Sequence, residues 1–375
     1  MTPFVKDKVL PTSIMVSSLI GAGIFSLPYI VSQIGFLFSL LLLLIAFITM
    51  LSSSFFYAEL LKNNVDSGNI ISLAHRYFGR EGSIIAFCIS VFQMIIGLMI
   101  YLVLGEKFLS VIIPGNPFNW TYLYILATPL IFISLRRLEE LEFVIAFGKV
   151  SVIFLIFFFS LSLVNPATYF PVEIQLPFSR LFLFLGPMLF ALNGRVAIAE
   201  ILRVVNKRLY LTKAAIGKGL CIVALAYLIF SYAVVIGSPI VSSDTITGLT
   251  TSFPLVIFVI IAALGWCNMW SSYVLFGYEI NDVLKLDFKF RPLLRFFLIA
   301  TLPIFFFYLG FKDFLGLVGF AGGILGSCEG FFIGCMYLKH KKYQFSPALA
   351  FTLIVFSSVF LVEIANYLGY FPQVG

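Results

Sequence analysis

Long apolar runs without charge limit this chain to a small set of folds. Phe36–Met50, Ile153–Val164 and Thr301–Gly310 contain no charged residue, and the whole chain is 61% hydrophobic and 11% charged. Soluble domains carry about 25% charged residues, and runs of about 18 mainly apolar residues are typical of membrane spans. Because lipid offers the backbone no hydrogen-bond partners, spans are helices or closed barrels. Alternating strand patterns are absent from the sequence, so we predict an all-α integral membrane protein.

Hydropathy divides the chain into eleven predicted spans. Their approximate bounds are 11–33, 36–61, 83–113, 120–135, 143–164, 181–203, 214–238, 253–279, 293–310, 313–338 and 346–368. Most connections are short, and Ile70–Phe78 in a longer one has the pattern of an amphipathic helix at the membrane interface. The sequence shows no linker or soluble domain, so residues 1–375 are expected to form a single transmembrane domain.

Basic residues predict the orientation in the membrane. If the N-terminus is cytoplasmic, only Lys107, Arg180 and Lys312 of the 24 Lys and Arg residues fall on the outer side, and Arg195 falls within a span. Cytoplasmic loops carry the excess of Lys and Arg. We therefore predict a multi-pass protein of the cell membrane with a cytoplasmic N-terminus and an external C-terminus. The net charge of +7 then reflects topology, and no nucleic-acid partner is expected.

The sequence offers little that an enzyme would need. It contains no His, Cys and carboxylate cluster with metal-ligand spacing, no phosphate-binding loop and no nucleophile–histidine arrangement. We expect no enzymatic activity, no metal and no cofactor beyond a coupling ion. Transport or channel function is what remains.

Helix breakers occupy the centres of two predicted spans. Ser17–Ile30, "SSLIGAGIFSLPYI", carries Gly21 and Gly23, and Pro28 follows. Glycine costs about 1 kcal/mol and proline about 3 kcal/mol in a helix interior. The sixth span, "LFLFLGPMLFALNGRVAIAEI", is interrupted at Asn193-Gly194, a dipeptide typical of turns. One Gly-x-Gly alone would fit close helix packing equally well. The second interruption favours a binding site.

The two breaks recur at corresponding positions of two repeats. Spans one to five cover about 11–164, spans six to ten cover about 181–338, and an additional helix covers about 346–368. Five spans is an odd number, so the repeats have opposite orientations. Such paired interruptions indicate a transporter binding site, because half-helix N-termini attract a carboxylate and C-termini attract a cation or ammonium. We predict a five-plus-five inverted-repeat transporter fold with broken helices one and six.

"GAGIFSLPYI" resembles the first-span signature of the amino acid–polyamine–organocation superfamily, most of all its amino acid/auxin and aromatic amino acid permease branches. Close matching is confined to Gly21–Tyr29 and, more loosely, Leu185–Glu200. Asn193-Gly194-Arg195 departs from the family's glycine-rich core and leaves side-chain specificity open. The resemblance implies a moving bundle of spans one, two, six and seven, and a scaffold formed by the others. It implies secondary active transport of an amino acid by alternating access.

Two other functions compete with this hypothesis. One is sodium-coupled transport of another small amine or carboxylate. The other is an ion channel or a non-transporting amino acid sensor. Concentrative uptake that collapses with the ion gradient separates a transporter from a channel, and a sensor binds its ligand without moving it. We expect a monomer whose partners are a small amino acid substrate and the lipid bilayer.

The predicted substrate site combines backbone groups with an apolar pocket. Main-chain N–H groups after the glycines would hold the substrate carboxylate, and carbonyls before the second break would accept its ammonium. Span three, with Met269 and Trp270 of span eight, would line a pocket for a medium or large neutral side chain; ordinary packing is the alternative. The predicted substrate-binding residues are Gly21, Ala22, Gly23, Ile24, Gln93, Met94, Phe190, Ala191, Leu192 and Asn193.

Two sets of residues are candidates for ion coupling. Family members use sodium between spans one and eight, or a proton with a lysine from span five in that place. Ser271 and Ser272, beside carbonyls near Ile20, fit sodium, whereas Lys149 in "AFGKVSVIFLIF" resembles the "I-K-L-x-x-x-L-L" stretch of proton-coupled members. Desolvation favours the neutral amine of a buried lysine, which allows proton exchange. We predict proton coupling, with sodium and a snorkelling Lys149 as alternatives.

Arg195 is the charged residue placed nearest mid-membrane. A guanidinium there costs at least about 2.5 kcal/mol, so it should face protein or water. Glu200, Glu59 and Glu329 are its candidate partners. We predict an inner gate that includes Arg195 and Glu200, and direct contact of Arg195 with an acidic substrate group is the alternative.

Overall fold

Helices form every regular element that the structure describes. The computed structural model covers residues 5–62, 69–132, 138–162, 182–250, 253–286 and 289–370. The α-helices are α1 (Leu10–Leu19), α2 (Leu27–Ile34), α3 (Phe36–Lys62), α4 (Ile70–Ile112), α5 (Asn119–Ala127), α6 (Leu138–Ser162), α7 (Leu185–Ala191), α8 (Arg195–Val204), α9 (Leu209–Gly237), α10 (Ile246–Leu249), α11 (Leu255–Leu286), α12 (Pro292–Phe296), α13 (Leu302–Tyr308), α14 (Phe314–Gly319), α15 (Ser327–His340) and α16 (Pro347–Tyr367). Short 3-10 helices cover Ala22–Ser26, Thr128–Phe132 and Phe182–Phe184, and π-helices cover Val5–Val9, Phe297–Thr301 and Phe320–Gly326.

The helices reproduce the predicted membrane spans. In the described ranges, seven helical segments are long and apolar enough to cross a membrane, and a pair bent by 50° around residues 20–21 makes an eighth. Shorter apolar helices at Gly148–Ser160 and Pro292–Tyr308 coincide with predicted spans five and nine. Predicted span four coincides with α5 and the 3-10 helix after it. Its last residues, 133–135, lie outside the described residues, as do 163–164, 181 and Arg180. The predicted all-α membrane fold is confirmed.

The predicted interfacial segment, Ile70–Phe78, forms the first turns of α4. Asn69 caps it, because its side-chain oxygen accepts a hydrogen bond from the Ser72 N–H at 3.0 Å. Gly79 then leaves the helical conformation with φ +70°, ψ −157°. Glycine adopts positive φ without steric cost. The interfacial helix and the third span therefore meet at a glycine joint.

The first broken span lies at the centre of the molecule. α1 packs against α6, α8 and α9, while α4 packs against α5, α11 and α15. Just after the first break, the Phe25 ring is 1% exposed and lies edge-on to Phe108 and Phe230, with ring centroids 5.3 and 5.9 Å away. Burial of these rings fixes the position of the break, because each buried aromatic side chain removes a large apolar area from water.

The eleventh span, α16, lies against both repeats. It packs against α3 of the first repeat and against α7, α15 and the π-helix Phe320–Gly326 of the second. The π-helix itself packs closely on α7: a methyl carbon built on Gly322 would lie only 1.9 Å from the carbonyl oxygen of Gly186. Half-helix α7 is therefore held between span ten and the eleventh span.

Candidate functional site

The first break frees backbone groups at mid-span. α1 ends at Leu19, and Ile20 and Gly21 are extended, with φ/ψ of −73°/97° and −137°/−151°. The 3-10 helix Ala22–Ser26 begins immediately afterwards and continues into α2. The first N–H groups of a helix have no acceptor within that helix. The break therefore presents the N–H groups of Ala22 and Gly23 at the N-terminal end of a helical segment.

The second break is organised by a side chain. α7 ends at Ala191 and α8 begins at Arg195, which leaves 192–194 between the two half-helices. The Asn193 side-chain oxygen accepts a hydrogen bond from the Arg195 N–H at 3.2 Å. The Phe190 carbonyl accepts one from the Asn193 N–H at 3.1 Å. Asn193 thus holds the start of α8, a local role that its type predicts.

The two breaks touch through their backbones. A methyl carbon built on Gly23 would lie 2.7 Å from the Cα of Ala191, and one on Gly21 would lie 3.2 Å from the Tyr101 hydroxyl. Such separations leave no room for a side chain at Gly23. Ala22 and Ile24 are each 1% exposed and Leu192 is fully buried. The structure therefore brings the predicted backbone groups of spans one and six together, in a conformation closed to solvent.

Tyr227 on α9 bridges the two half-helices. Its hydroxyl oxygen lies 2.7 Å from the Leu19 carbonyl oxygen and 3.1 Å from that of Ala191. These carbonyls end α1 and α7, where a helix carries partial negative charge. Tyr227 is fully buried. Sequence reasoning missed it, because the chain has 17 tyrosines and no local motif marks this one. Its position in the middle of an apolar span was the available signal.

Tyr101 is a second residue that sequence reasoning missed. It lies on α4, its hydroxyl faces Gly21, and its ring lies 5.8 Å from the Phe276 ring, edge to face. It lies two helical turns beyond the predicted residues Gln93 and Met94 on the same helix. A phenolic hydroxyl both donates and accepts hydrogen bonds. Tyr101 therefore adds a side-chain polar group to the first break.

The predicted side-chain pocket is filled by packing in this structure. The Gln93 amide nitrogen donates to the Ala321 carbonyl of span ten at 3.4 Å. Met94 is 4% exposed and Met269 is fully buried. Trp270 is partly buried and packs against the core. These residues are buried and packed, and their role in lining a substrate pocket stays a prediction.

Lys149 reaches α1 from span five. Its side chain is buried, and its ammonium donates to the Ser17 carbonyl at 3.1 Å, within the last turn of α1. A cation at a helix C-terminus is favoured by the helix dipole. The amine therefore points into the protein. A snorkelling lysine would instead point towards the headgroups.

The two candidate sodium ligands on α11 differ in their surroundings. The Ser271 hydroxyl donates to the Asn268 carbonyl of its own helix at 2.9 Å. The Ser272 hydroxyl is buried and has no hydrogen-bond partner among the described residues. α11 packs against α6, the helix that carries Lys149. At the end of α1, Ile20 donates its N–H to the Val16 carbonyl at 3.0 Å.

Arg195 forms a buried ion pair with Glu329 on α15. The guanidinium Nε and the carboxylate Oε2 are 2.9 Å apart, and the side chains are 11% and 3% exposed. The Ser90 hydroxyl donates to the other carboxylate oxygen at 3.1 Å, and the guanidinium lies 5.9 Å from the centre of the Tyr57 ring. Glu200 lies on α8 with Arg195 and is half-buried. Of the three candidate carboxylates, Glu329 is thus the one beside the Nε.

Glu59, the remaining candidate, belongs to a separate cluster. Its carboxylate lies 3.3 Å from the Lys213 ammonium and also pairs with Lys341. The Tyr337 hydroxyl donates to it at 3.3 Å. This cluster ties the end of α3 to α9 and to the segment that follows α15.

A small cavity with mixed polar and apolar walls joins the second break to the Arg195–Glu329 pair. It leaves about 20 Å³ open to the centres of water molecules, enough for a single water. Its polar lining comprises Ser53, Ser54, Tyr57, Asn193, Arg195 and Glu329. Within the described ranges, no group of three or more His, Cys, Asp or Glu side chains is placed to hold a metal ion.

Solved structures show the fold. A manganese transporter of Eremococcus coleocola superposes with a TM-score of 0.60 at 12% identity, over 97% of this chain and 88% of that one. MHP1, a nucleobase-cation-symport-1 family transporter, superposes with a TM-score of 0.61 at 13% identity, over 97% of this chain and 94% of its own. These similarities, with the described helices, confirm the predicted inverted-repeat transporter fold.

Sequence comparisons show the family. Tyrosine-specific transport system 1 of Haemophilus influenzae is 30% identical over 105 residues. That match covers 28% of this chain and 26% of the relative, about a quarter of its length. The profile of the tryptophan/tyrosine permease family matches residues 6–252, well over half of the 375 residues and including both helix breaks. The chain is therefore a member of the tryptophan/tyrosine permease family.

Proposed function

We propose that this protein is a secondary active transporter that moves an aromatic amino acid across the cell membrane by alternating access. The observation that carries the proposal is the meeting of two helix breaks in one buried place. Free N–H groups follow one break and helix-terminal carbonyls precede both. A zwitterion needs both kinds of group. The family's description and the tyrosine transport relative support an aromatic amino acid as substrate.

The substrate carboxylate is held at the first break. It accepts hydrogen bonds from the N–H groups of Ala22, Gly23 and Ile24, and the Tyr101 hydroxyl faces the same place across Gly21. Backbone donors at a helix N-terminus favour a negative charge. Gly23 lies against Ala191, so the two breaks must move apart to admit the ligand.

The substrate ammonium takes the place of the Tyr227 hydroxyl. In the closed structure that hydroxyl supplies the hydrogen-bond donor for the Leu19 and Ala191 carbonyls. An ammonium donates three hydrogen bonds and carries a positive charge, so it satisfies two helix C-termini better than one hydroxyl does. We infer that the Tyr227 hydroxyl and the substrate ammonium use the same two carbonyls in different conformations of the cycle.

Proton coupling runs through Lys149. Its ammonium already lies at the last turn of α1, where a coupling cation would otherwise be attracted. A protonated Lys149 stabilises that helix end, and loss of the proton removes the charge. Sodium held by Ser271, Ser272 and the Ile20 carbonyl is the alternative, and the unpartnered Ser272 hydroxyl is the observation that favours it.

The Arg195–Glu329 pair forms part of an inner gate. Arg195 belongs to span six of the moving bundle, whereas Glu329 and Ser90 belong to spans ten and three of the scaffold. The pair therefore crosses the boundary that alternating access opens. The Glu59–Lys341 contact crosses it as well, nearer to the ends of the helices.

The remaining assignments follow the charge pattern and the signature. We place the N-terminus in the cytoplasm and the C-terminus outside, since Lys and Arg concentrate on one side. The Gly21–Tyr29 signature supports the aromatic amino acid permease branch of the amino acid–polyamine–organocation superfamily. We treat the chain as a monomer.

Uptake by purified protein in proteoliposomes tests the proposal. Labelled tyrosine and tryptophan should accumulate when the lumen is alkaline and sodium is absent, and a protonophore should abolish accumulation. A competition panel of twenty amino acids then defines the side-chain preference. A strict sodium requirement would reassign the coupling ion, flux without accumulation would indicate a channel, and binding without flux would indicate a sensor.

A further inference from the structure

Glu363 is a buried carboxylate on the eleventh span, outside both repeats. It lies near the end of α16 and is 4% exposed. Three glycines make the space for it. A methyl carbon built on Gly186 would lie 2.7 Å from its Oε1 atom, one on Gly323 would lie 2.4 Å from its Cγ, and one on Gly319 would lie 3.5 Å from Oε1. The carboxylate therefore occupies a fitted cradle formed by α7 and span ten.

This carboxylate has no counter-ion within the part of the chain that the structure describes. Among the described residues, none of the Lys, Arg or His side chains lies within ion-pair distance of Glu363. The elements that form the cradle are free of titratable side chains along their lengths, namely α7 ("LGPMLFA"), α14 ("FLGLVG"), the π-helix ("FAGGILG") and Phe182–Phe184 ("FLF"). Burial of an ionised carboxylate without a partner is costly, in lipid above all.

Titratable groups on the elements that pack against Glu363 form other interactions, lie elsewhere or belong to the inner cluster. Tyr367 is one turn further along α16 and donates to the Gly316 carbonyl at 3.4 Å, and Asp313 caps α14. On α15, Glu329 pairs with Arg195. The remaining titratable side chains of α15 and α3 are Cys328, Cys335, Tyr337, Lys339, His340, Tyr57, Glu59 and Lys62.

The inner cluster is remote from the cradle. Lys341 pairs with Glu59, which places the end of α3 beside the start of α16. Glu363 lies sixteen residues beyond Pro347, about 24 Å along the helix at 1.5 Å per residue. The charges of the inner cluster therefore do not neutralise Glu363.

We propose that Glu363 is a proton-binding site, and that it gains and loses its proton as half-helix α7 moves against span ten. The step is the binding of one proton from water to the carboxylate, and its release as the cradle opens. The inference rests on the proposed function, because it needs α7 to move. An ionisable group then lies beside each broken helix, the Lys149 amine at α1 and the Glu363 carboxylate at α7.

Infrared spectroscopy of the full-length protein in lipid tests proton binding without any transport. Wild type should show a protonated carboxylic acid band at neutral pH. Glu363→Gln should lack it, and Glu81→Gln, which removes an exposed carboxylate from α4, should retain it. Glu363→Asp should keep a band at a shifted position. An identical band in wild type and Glu363→Gln would overturn the proposal.

Transport assays separate this inference from the proposed function. Glu363→Gln should keep substrate exchange and the drive supplied by Lys149, while its uptake should change with pH at least about twofold less than that of wild type, because glutamine cannot titrate. A wild-type pH profile in Glu363→Gln would overturn the proton site. If wild type itself exchanges no amino acid, the proposed function fails, and the infrared band still decides whether Glu363 binds a proton.

Discussion

The two helix breaks occupy corresponding places in the two repeats, yet they differ in chemistry. The break in span one is made by Gly21 and Gly23, and it allows backbone to approach backbone and the Tyr101 hydroxyl. The break in span six is held by the Asn193 side chain and leads directly into Arg195, which pairs with Glu329 in the scaffold. The first break is therefore suited to ligand contact, and the second is linked by an ion pair to span ten, across the proposed boundary between moving bundle and scaffold.

This difference suggests that the two breaks have separate roles, one in ligand binding and one in conformational change. Contact with the carboxylate of an amino acid needs exposed backbone N–H groups and small residues beside them. Glycine meets both needs because it has no side chain. A conformational gate needs an interaction that is strong in one state and broken in the other, and a buried ion pair across a moving boundary meets that need. Changes at the first break should therefore affect binding, and changes at the second should affect stability and opening.

Gly23→Val should have the largest effect. The first side-chain carbon would lie 2.7 Å from the Ala191 Cα, so the two breaks cannot keep their contact. We expect loss of substrate binding and uptake with expression retained. Gly217→Val is the matched control, since a methyl carbon on Gly217 meets no atom within 4 Å. Normal uptake by Gly23→Val would show that the first break is not the ligand site.

Arg195→Gln should destabilise the closed conformation by about 3–5 kcal/mol, because Glu329 would remain buried without its partner. The thermal unfolding temperature in detergent measures this loss. The double variant Arg195→Gln with Glu329→Gln removes both charges and should recover most of it. If Arg195→Gln is as stable as wild type and transports normally, the pair is no gate.

Lys149→Ala should uncouple transport from the proton gradient. Removal of the ammonium from the last turn of α1 takes away the titratable group beside the first break. We expect exchange of internal for external substrate to continue, while uptake driven by a pH gradient disappears. Lys218→Ala, an exposed lysine on α9, serves as control. Full gradient-driven uptake by Lys149→Ala would reassign coupling to another group.

Tyr227→Phe should have the smallest effect. The sign of the change in ligand affinity shows whether Tyr227 competes with the ligand or contacts it. Loss of the hydroxyl removes the donor that the Leu19 and Ala191 carbonyls have in the closed conformation, at a cost of about 1 kcal/mol. Because the ligand ammonium then gains acceptors that have no competing donor, binding should tighten roughly fivefold. Calorimetry measures this, with Tyr232→Phe on the same helix as control. Weaker binding would mean that Tyr227 contacts the ligand and does not compete with it.

The fold could be predicted from the sequence because membrane helices have a strong local signal. Uncharged runs and paired breakers are local signals, and they located α3, α9 and both interruptions to within a few residues. Gly21, Gly23 and Ala191 came together as expected because the pattern of breaks dictates backbone geometry.

Side-chain partners were less accessible, because they depend on which helix faces reach the centre. Three carboxylates were equally plausible for Arg195, and packing selected Glu329. Gln93 lies in the helix expected to line the site, but it faces span ten, while Tyr101 faces the break. Tyr227 lies in a span that the sequence does not predict to be interrupted, and no local motif marks it. Such choices are made by tertiary contacts, which composition and periodicity do not encode.

We propose that the two helix breaks together recognise the carboxylate and the ammonium group of a zwitterionic amino acid. Equilibrium binding to the purified protein of tyrosine, tyramine and 3-(4-hydroxyphenyl)propionate tests it most directly. Tyramine lacks the carboxylate and the propionate lacks the amine, while both keep the aromatic ring. We expect tyrosine to bind, and each analogue to lose at least about tenfold in affinity, because each lacks one set of charge-assisted hydrogen bonds. Binding of either analogue as tightly as tyrosine would contradict it.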